Sequence, residues 1–208
     1  AGQSHWRDAS PADRGPVPPL AAEGTRRLVR HLPCPVFVVE HEERPTALQE
    51  FLVPTDLSDP SLRAFRHAVT LAHLYDAAVH VLHVVDSLPY VALTPTDRLS
   101  LGRRSLPEHR GRRQVRAFLK GEAPGDVPLH LHLAYGDPAD QILRFLDRTG
   151  VDLLVLSSHG TEGPSEVPLG PVPTRVMGRM TCPSFLVRAV GDSLLAPSAG
   201  GKDGLPPE

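Results

Sequence analysis

Strand-like and helix-like segments alternate along residues 50–190, and this alternation limits the fold more than any other feature of the sequence. Two runs rich in branched aliphatic residues, AAVHVLHVVD (77–86) and VDLLVLSS (151–158), are continuous rather than polar on every second residue. Such runs are typical of strands that are buried on both faces, as in a parallel sheet. Parallel strands need long crossover connections, which are usually helices. The order of the segments therefore predicts parallel strands joined by helices.

Two of the predicted helices begin with a capping residue that is followed by a proline. Ser58 or Asp59 precedes Pro60, and apolar residues then recur at helical spacing. Asp137 precedes Pro138 at the start of the second helix. Serine and aspartate accept hydrogen bonds from the first N–H groups of a helix, and proline fits the first turn. Both segments are therefore predicted to be helical.

Three more strands and two more helices complete the alternation. The strands are predicted in EFLVPTD (50–56), VPLHLHLAYG (127–136) and PSFLVRAV (183–190). An arginine-rich helix is expected within 96–120 and a short helix near 172–180. Together these elements predict an α/β fold, with a doubly wound, mostly parallel five-stranded sheet and helices on both faces.

The segment GTRRLVRHLPCPVFVVEHEE (24–43) echoes the end of this domain. It has the pattern of a helix followed by a strand, and it aligns Cys34 with Cys182. This is an internal repeat. Because an unpaired apolar strand is an aggregation hazard, we predict that Val36–Val39 pairs with Phe185–Val187, in the same chain or in a neighbouring one. A disulfide between the two cysteines requires that these strands meet.

A glycine-containing loop, LSSHGTEGPSEVPLGP (156–171), follows a buried strand and leads into a predicted helix. In many α/β proteins this arrangement surrounds a phosphate with backbone N–H groups. The loop contains Glu162 and Glu166 but no lysine or arginine, so its charge repels a polyphosphate. Ligands of doubly wound sheets bind at the carboxyl ends of the strands, where this loop and Pro54–Asp56 are both expected.

Four segments in this order resemble the universal stress protein family: LVPTDLSDPSLRAFRHAVTLA, VHVLHVVD, YGDPADQILRFLDRTGVDLLVLSSHG and CPSFLVR. The resemblance covers residues 48–190 and implies an adenine nucleotide alpha-hydrolase-like fold. Residues 24–44 resemble the last helix and strand of a second copy, so the chain resembles a tandem protein whose N-terminal copy is reduced to a helix–strand unit. Residues 1–23 and 191–208 are expected to be a flexible segment and a disordered tail.

In this family the terminal strands of two domains pair across a dimer. The resemblance therefore implies either a homodimer or an intrachain pseudo-dimer, formed through Val36–Val39 and Phe185–Val187.

Members of the family that bind ATP carry the motif G-x2-G-x9-G-[S/T] after the fourth strand. In this chain the four positions fall on Ser157, Gly160, Gly170 and Pro171, so two of the four are kept. Proline has neither an N–H group nor a hydroxyl, and Ser157 adds a Cβ where the backbone should approach closely. His159 lies in the same loop and is a further candidate contact. The resemblance implies a degenerate phosphate loop.

The adenosine half of the site is better preserved. By resemblance, Pro54, Thr55 and Asp56 match the segment that contacts ribose or adenine, and Val84 matches a residue that lines the base pocket. Asp56 can instead cap the following turn, and Val84 can simply belong to the core. Where nucleotide is bound at all, the implied ligands are ATP or AMP with Mg²⁺.

Three functions are open from the sequence. The first is a non-catalytic stress-response or regulatory module with weak or lost nucleotide binding. The second is an ATP- or AMP-binding member, with adenosine at Asp56 and Val84 and phosphates at the 157–171 loop. The third is a dimerisation or scaffold domain of a larger protein, since the chain begins with Ala1. No nucleophile–base pair stands out, so no enzyme is expected, although slow ATP hydrolysis stays open.

The net charge and the cysteines indicate which partners and which compartment to expect. A net charge of −2 argues against nucleic acid and anionic membranes as partners. No apolar run approaches 18 residues, and the two cysteines without a secretory signal favour the cytoplasm.

His130 and His132 share one strand face, but neither His80 nor any nearby acid has the spacing of a zinc set. We expect a solvated face there and no metal.

Overall fold

The computed structural model describes residues 34–39, 47–85, 105–122, 124–160, 169–180 and 182–188. The strands are β1 (Val36–Val38), β2 (Glu50–Thr55), β3 (Ala78–Val85), β4 (Leu129–Tyr135), β5 (Leu153–Ser157) and β6 (Ser184–Val187). The helices are α1 (Asp59–Tyr75), α2 (Ser105–Phe118), α3 (Pro138–Arg148) and α4 (Pro171–Met177). The tails 1–23 and 191–208, the helix predicted ahead of β1 and the middle of the glycine loop lie outside the described residues.

The strands form one sheet in the order β1-β6-β5-β2-β3-β4. The neighbours from β6 to β4 all run parallel, and β1 alone pairs antiparallel with β6. Strand order reverses after β4, where the chain crosses to the other side of β2. This confirms the predicted doubly wound, five-stranded parallel sheet and adds a sixth strand at its edge. The reversal puts a crevice at the carboxyl ends of β2 and β5.

Each face of the sheet carries its own hydrophobic core. Alternate residues of β2 belong to opposite cores, so Phe51 and Val53 pack with Phe65 of α1, whereas Leu52 packs with Ile142 of α3. All of these side chains are fully or almost fully buried. Burial of a side chain of this size contributes about 1.5–3 kcal/mol. The continuous apolar runs in the sequence follow from this burial on both sides.

The capping signals read from the sequence operate as expected. The Ser58 hydroxyl accepts a hydrogen bond from the Ser61 N–H group at the start of α1. At the start of α3, Asp137 Oδ1 accepts one from the Asp140 N–H group at 3.0 Å. Helix α4 begins at Pro171, one residue earlier than predicted, because the fixed φ of proline suits the first helical position.

The pairing of β1 with β6 predicted from the internal repeat is confirmed within the chain, with bounds shifted by one residue: β1 ends at Val38, before Val39, and the pairing includes Ser184 rather than Val187. Phe37 stands opposite Phe185, its own counterpart in the repeat, with ring centroids 5.8 Å apart. On either side Val36 pairs with Leu186 and Val38 with Ser184. A register centred on two equivalent residues is the arrangement of an isologous interface.

The same pairing separates the two cysteines. Cys34 precedes β1 and Cys182 precedes β6, and antiparallel strands place these positions at opposite ends of the pair. Both thiols are free. The strands meet, but no disulfide joins them.

Candidate functional site

A cavity of about 920 Å³ opens at the carboxyl ends of β2, β3 and β5, against the first turns of α3 and α4. All eight residues predicted for the site line it: Pro54, Thr55, Asp56, Val84, Ser157, His159, Gly160 and Gly170. They come together because parallel strands end at the same edge of the sheet. Their roles toward a ligand remain predictions.

Asp56 sits in the turn between β2 and α1, and its two oxygens have different surroundings. Oδ1 accepts hydrogen bonds from the Ser58 N–H group at 3.1 Å and from the Ser58 hydroxyl at 2.5 Å. Oδ2 occupies the space where a side chain on residue 160 would begin. The Asp56 carboxylate therefore caps the turn that follows it, which is one of the two roles expected from the sequence. Its position also leaves no room for a side chain at residue 160. Asp56 is nonetheless exposed and borders the cavity.

The side chain of Thr55 has a structural task. Its hydroxyl lies 2.8 Å from the Ser61 hydroxyl and accepts a hydrogen bond from the Leu57 N–H group at 3.0 Å. Leu57 has a left-handed backbone with φ of 65°, which this bond helps to hold. Thr55 thus fixes the turn that presents Asp56 to the cavity.

His83 also lines the cavity, and the sequence analysis did not select it. Its Nδ1 lies 2.9 Å from the carbonyl oxygen of Thr55. A carbonyl only accepts, so Nδ1 is the donor of this bond, and Nε2 is the nitrogen left to contact a ligand. The position of His83 directly before Val84, at the end of β3, is the sequence feature that could have identified it as a cavity residue.

The start of α4 has few of the N–H groups that a phosphate cradle needs. Positions 171 and 173 are both proline, so Val172 has the one N–H group in the first three residues. The Gly170 N–H group donates to the Ser158 carbonyl at 2.8 Å, and the Thr174 N–H group donates to Gly170. The loss of Pro171 as a donor was predicted. The second loss, at Pro173, lies outside the family motif and was missed.

Ser158 and His159 are buried neighbours at the end of β5. The Ser158 hydroxyl lies 3.1 Å from His159 Nδ1, and the Ser158 N–H group donates to Val187 of β6. His159 borders the cavity together with Ser157. These contacts fix the loop where it leaves the sheet.

Arg175 is the one arginine or lysine among the described residues that line the cavity, and it is paired with acids. Its guanidinium donates to Asp137 at 2.7 Å and to Asp140 at 3.1 Å, both in the first turn of α3. The hydrogen bond from Arg175 is the main reason why the pKa of Asp137 lies below its usual value. Before Arg175 could bind an anion, these bonds would have to break.

The expected solvated strand face holds for His130, which is exposed, but not for His132. His132 is half-buried, and its Nε2 lies 2.9 Å from Nδ1 of His80 on the adjacent strand. His80 is 30 residues from Glu50 in sequence yet bonds to its carboxylate. Among the described residues, no three or more His, Cys, Asp or Glu side chains are placed to hold a metal ion. None of the described helices has the length and apolarity to cross a membrane.

Fold and cavity define a class: a doubly wound α/β protein with a ligand-sized crevice at the switch point of its sheet. The universal stress protein family matches residues 48–188. A universal stress protein of Methanocaldococcus jannaschii is 32% identical over 140 residues, which cover 67% of this chain and 82% of that protein. The chain therefore belongs to the universal stress protein family.

Solved structures agree with this assignment. The universal stress protein UspA from Lactobacillus plantarum has a TM-score of 0.52 and 27% identity, and the match covers 69% of this chain and 100% of that one. A universal stress protein from Archaeoglobus fulgidus has a similar fold, with a TM-score of 0.53 and 20% identity. That match covers 77% of this chain but 52% of the other, which is the larger chain.

Proposed function

We propose that this chain is a non-catalytic regulatory module of the stress response, with a cavity that no longer holds a triphosphate. The observation that carries this proposal is the start of α4, where Pro171 and Pro173 remove two of the first three N–H groups. A hydrogen bond to a charged group contributes about 1.5–3 kcal/mol. Two missing donors therefore weaken phosphate binding by about 3–6 kcal/mol, or two to four powers of ten in Kd.

The charges around the cavity act in the same direction. Asp56 is exposed beside Gly160, and Arg175 is already bonded to two carboxylates of α3. Among the described residues that line the cavity, a nucleotide would therefore meet the Asp56 carboxylate before it met an available arginine or lysine. Mg²⁺ carried by the phosphates reduces this repulsion but does not supply the missing N–H groups.

A nucleoside or AMP is the second candidate ligand, and the adenosine side of the cavity favours it. The volume of about 920 Å³ is within the range of small-molecule sites. Val84 offers an apolar wall, and the Asp56 carboxylate can accept hydrogen bonds from ribose hydroxyls. On this proposal AMP binds more tightly than ATP, which is the opposite order from a site with an intact phosphate loop.

We further propose that residues 24–44 are a partial second copy whose strand makes the chain an intrachain pseudo-dimer. The symmetric register of Phe37 and Phe185 supports this. The larger Archaeoglobus fulgidus structure also matches a greater share of this chain than UspA does. For the compartment we propose the cytoplasm, because both cysteines are free.

Isothermal titration calorimetry of nucleotide-stripped protein with adenosine, AMP and ATP, each with and without Mg²⁺, tests the proposal. We expect AMP or adenosine to bind at least as tightly as ATP. The Asp56→Asn variant should weaken adenosine binding, whereas Asp59→Asn, an exposed acid at the start of α1, serves as the matched control. ATP binding that is at least tenfold tighter than AMP binding contradicts the loss of the phosphate cradle.

A further inference from the structure

Four titratable side chains meet in the amino-terminal halves of β2, β3 and β4, on the side of the sheet that α3 covers. They are Glu50, His80, His130 and His132, and we call them the His80 cluster. The cavity lies at the carboxyl ends of the same strands. The cluster is therefore separate from the candidate ligand site.

A chain of hydrogen bonds links three members of the cluster. His80 Nε2 lies 2.7 Å from the Glu50 carboxylate, and His80 Nδ1 lies 2.9 Å from His132 Nε2. A carboxylate only accepts, so His80 Nε2 carries a proton. In neutral His80 the Nδ1 atom is then an acceptor, and His132 donates to it from Nε2. His130 stacks on His80 with ring centroids 5.0 Å apart.

The hydrogen bond between His80 and His132 tolerates one added proton but not two. With one extra proton on the pair, either His80 donates to neutral His132 or His132 donates to neutral His80. With two extra protons, both facing nitrogens are donors, and no hydrogen bond can form between them. The bond therefore survives the first proton and breaks with the second.

The surroundings oppose that second proton. The ring of Phe145 from α3 packs against both His80 and His132 and covers part of each ring. The pKa of His132 lies below its usual value, chiefly because the ring is desolvated and then because His80, His130 and Arg112 of α2 add positive charge. Among the described acids on this side, Glu50 bonds to His80, the Asp152 carboxylate accepts from the N–H groups of Gln49 and Glu50, and α3 carries Asp140 and Asp147.

The strand that carries His132 stands at the end of the described sheet. β4 is bonded to β3 and has no second neighbour in the sheet order. Repulsion between His80 and His132 therefore acts across the one ladder that joins β4 to the described sheet, while Leu131 and Leu133 still pack against the core. Inner strands such as β5 are bonded on both sides and resist the same strain.

We propose that the His80 cluster is a proton-operated latch, which holds β4 to β3 at neutral pH and releases this edge strand when His80 and His132 are both protonated. The latch would let a stress-response protein register acidification independently of any ligand in the cavity. No other molecule is needed, because protons are the only species taken up.

Hydrogen exchange at pH 7.0 and 5.0, corrected for intrinsic exchange rates, tests the latch. We expect the protection of the amides of Ala134 and Gly136, whose N–H groups face β3, to fall at pH 5.0 by more than about threefold beyond that of the β5 amides. His132→Gln keeps a side-chain N–H donor for His80 and cannot be protonated. In this variant the extra loss at β4 should be below about threefold.

His73→Gln, an exposed histidine on α1, is the matched control and should behave like the wild type. Equal losses at β4 and β5 in the wild type overturn the proposal, and so does a His132→Gln variant that loses as much protection as the wild type. Nitrogen NMR of the wild type gives a test that needs no variant. At neutral pH His80 must carry its proton on Nε2, and the opposite tautomer also overturns the latch.

Discussion

Replacing Val38 by aspartate should detach β1 from the sheet. Val38 is 5% exposed and packs in the core between the sheet and the helices α3 and α4, whereas the next residue, Val39, is 49% exposed. The same substitution at these adjacent positions therefore tests burial and little else. Val38→Asp is the perturbation, and Val39→Asp is its matched control.

The expected cost follows from what Val38 contributes. Burial of a valine side chain is worth about 2 kcal/mol, and placing a carboxylate in that space adds a desolvation cost of at least a few kcal/mol. Against this, β1 is three residues long, and the Phe37–Phe185 contact adds about 1 kcal/mol. The free-energy cost of Val38→Asp should exceed the free energy that holds β1 against β6. We therefore expect β1 to leave the sheet and the edge of β6 to become exposed.

Hydrogen exchange of β6, followed by mass spectrometry, measures this detachment. Loss of the about 2 kcal/mol that burial of Val38 contributes corresponds to about 30-fold faster exchange of the β6 amides in Val38→Asp. In Val39→Asp the exchange rates should stay within about threefold of the wild type. Sedimentation should also show self-association of Val38→Asp, since an unpaired β6 edge can pair with a second copy. Unchanged exchange in Val38→Asp, or equal effects of both variants, refutes the proposed role of β1 as a covering strand.

Three further predictions concern single side chains. Burial raises the pKa of the Cys182 thiol to about 11, so iodoacetamide at pH 8 should alkylate it about 100-fold more slowly than a model thiol of pKa near 9; labelling at the model rate contradicts the burial. Gly160→Ala should displace the Asp56 carboxylate and disturb its bonds to Ser58, lowering the free energy of unfolding by about 1–2 kcal/mol in urea titrations, whereas Gly150→Ala, with open space at its Cβ, should change it by less than about 0.5 kcal/mol. Burial also lowers the pKa of His67. The unfolded chain then binds the proton more tightly than the folded chain, so the contribution of His67 to stability is full above about pH 6.5 and is lost as the pH decreases. As the pH is lowered, the urea midpoint should therefore decrease less steeply in His67→Gln than in the wild type or in His73→Gln.

Much of the fold was predictable because its signals are local. The caps at Ser58 and Asp137 and the continuous strand at 78–85 depend on neighbours in sequence, and the structure forms them as predicted. The β1–β6 pairing is a long-range contact, but the repeat around Phe37 and Phe185 encoded it twice. The meeting of the predicted site residues at one cavity follows from strand direction alone.

The parts that sequence reasoning missed depend on contacts between distant segments. Nothing in the spacing of Glu50, His80 and His132 links them, because their proximity arises from the strand order and register of the sheet. Pro173 was overlooked because a motif specifies positions and not the number of N–H groups that a helix start presents. The contact of Asp56 with Gly160 likewise joins two loops that the sequence separates by about a hundred residues.

In the proposed function, missing N–H groups at the start of α4 prevent triphosphate binding. The most direct measurement is a calorimetric titration of ATP into the Pro171→Ser/Pro173→Ala double variant beside the wild type. Restoring two backbone donors and a hydroxyl should tighten ATP binding by at least about 100-fold, while adenosine binding stays within about threefold. If the double variant binds ATP no more tightly than the wild type does, or if the wild type already binds ATP more tightly than AMP, the claim is contradicted.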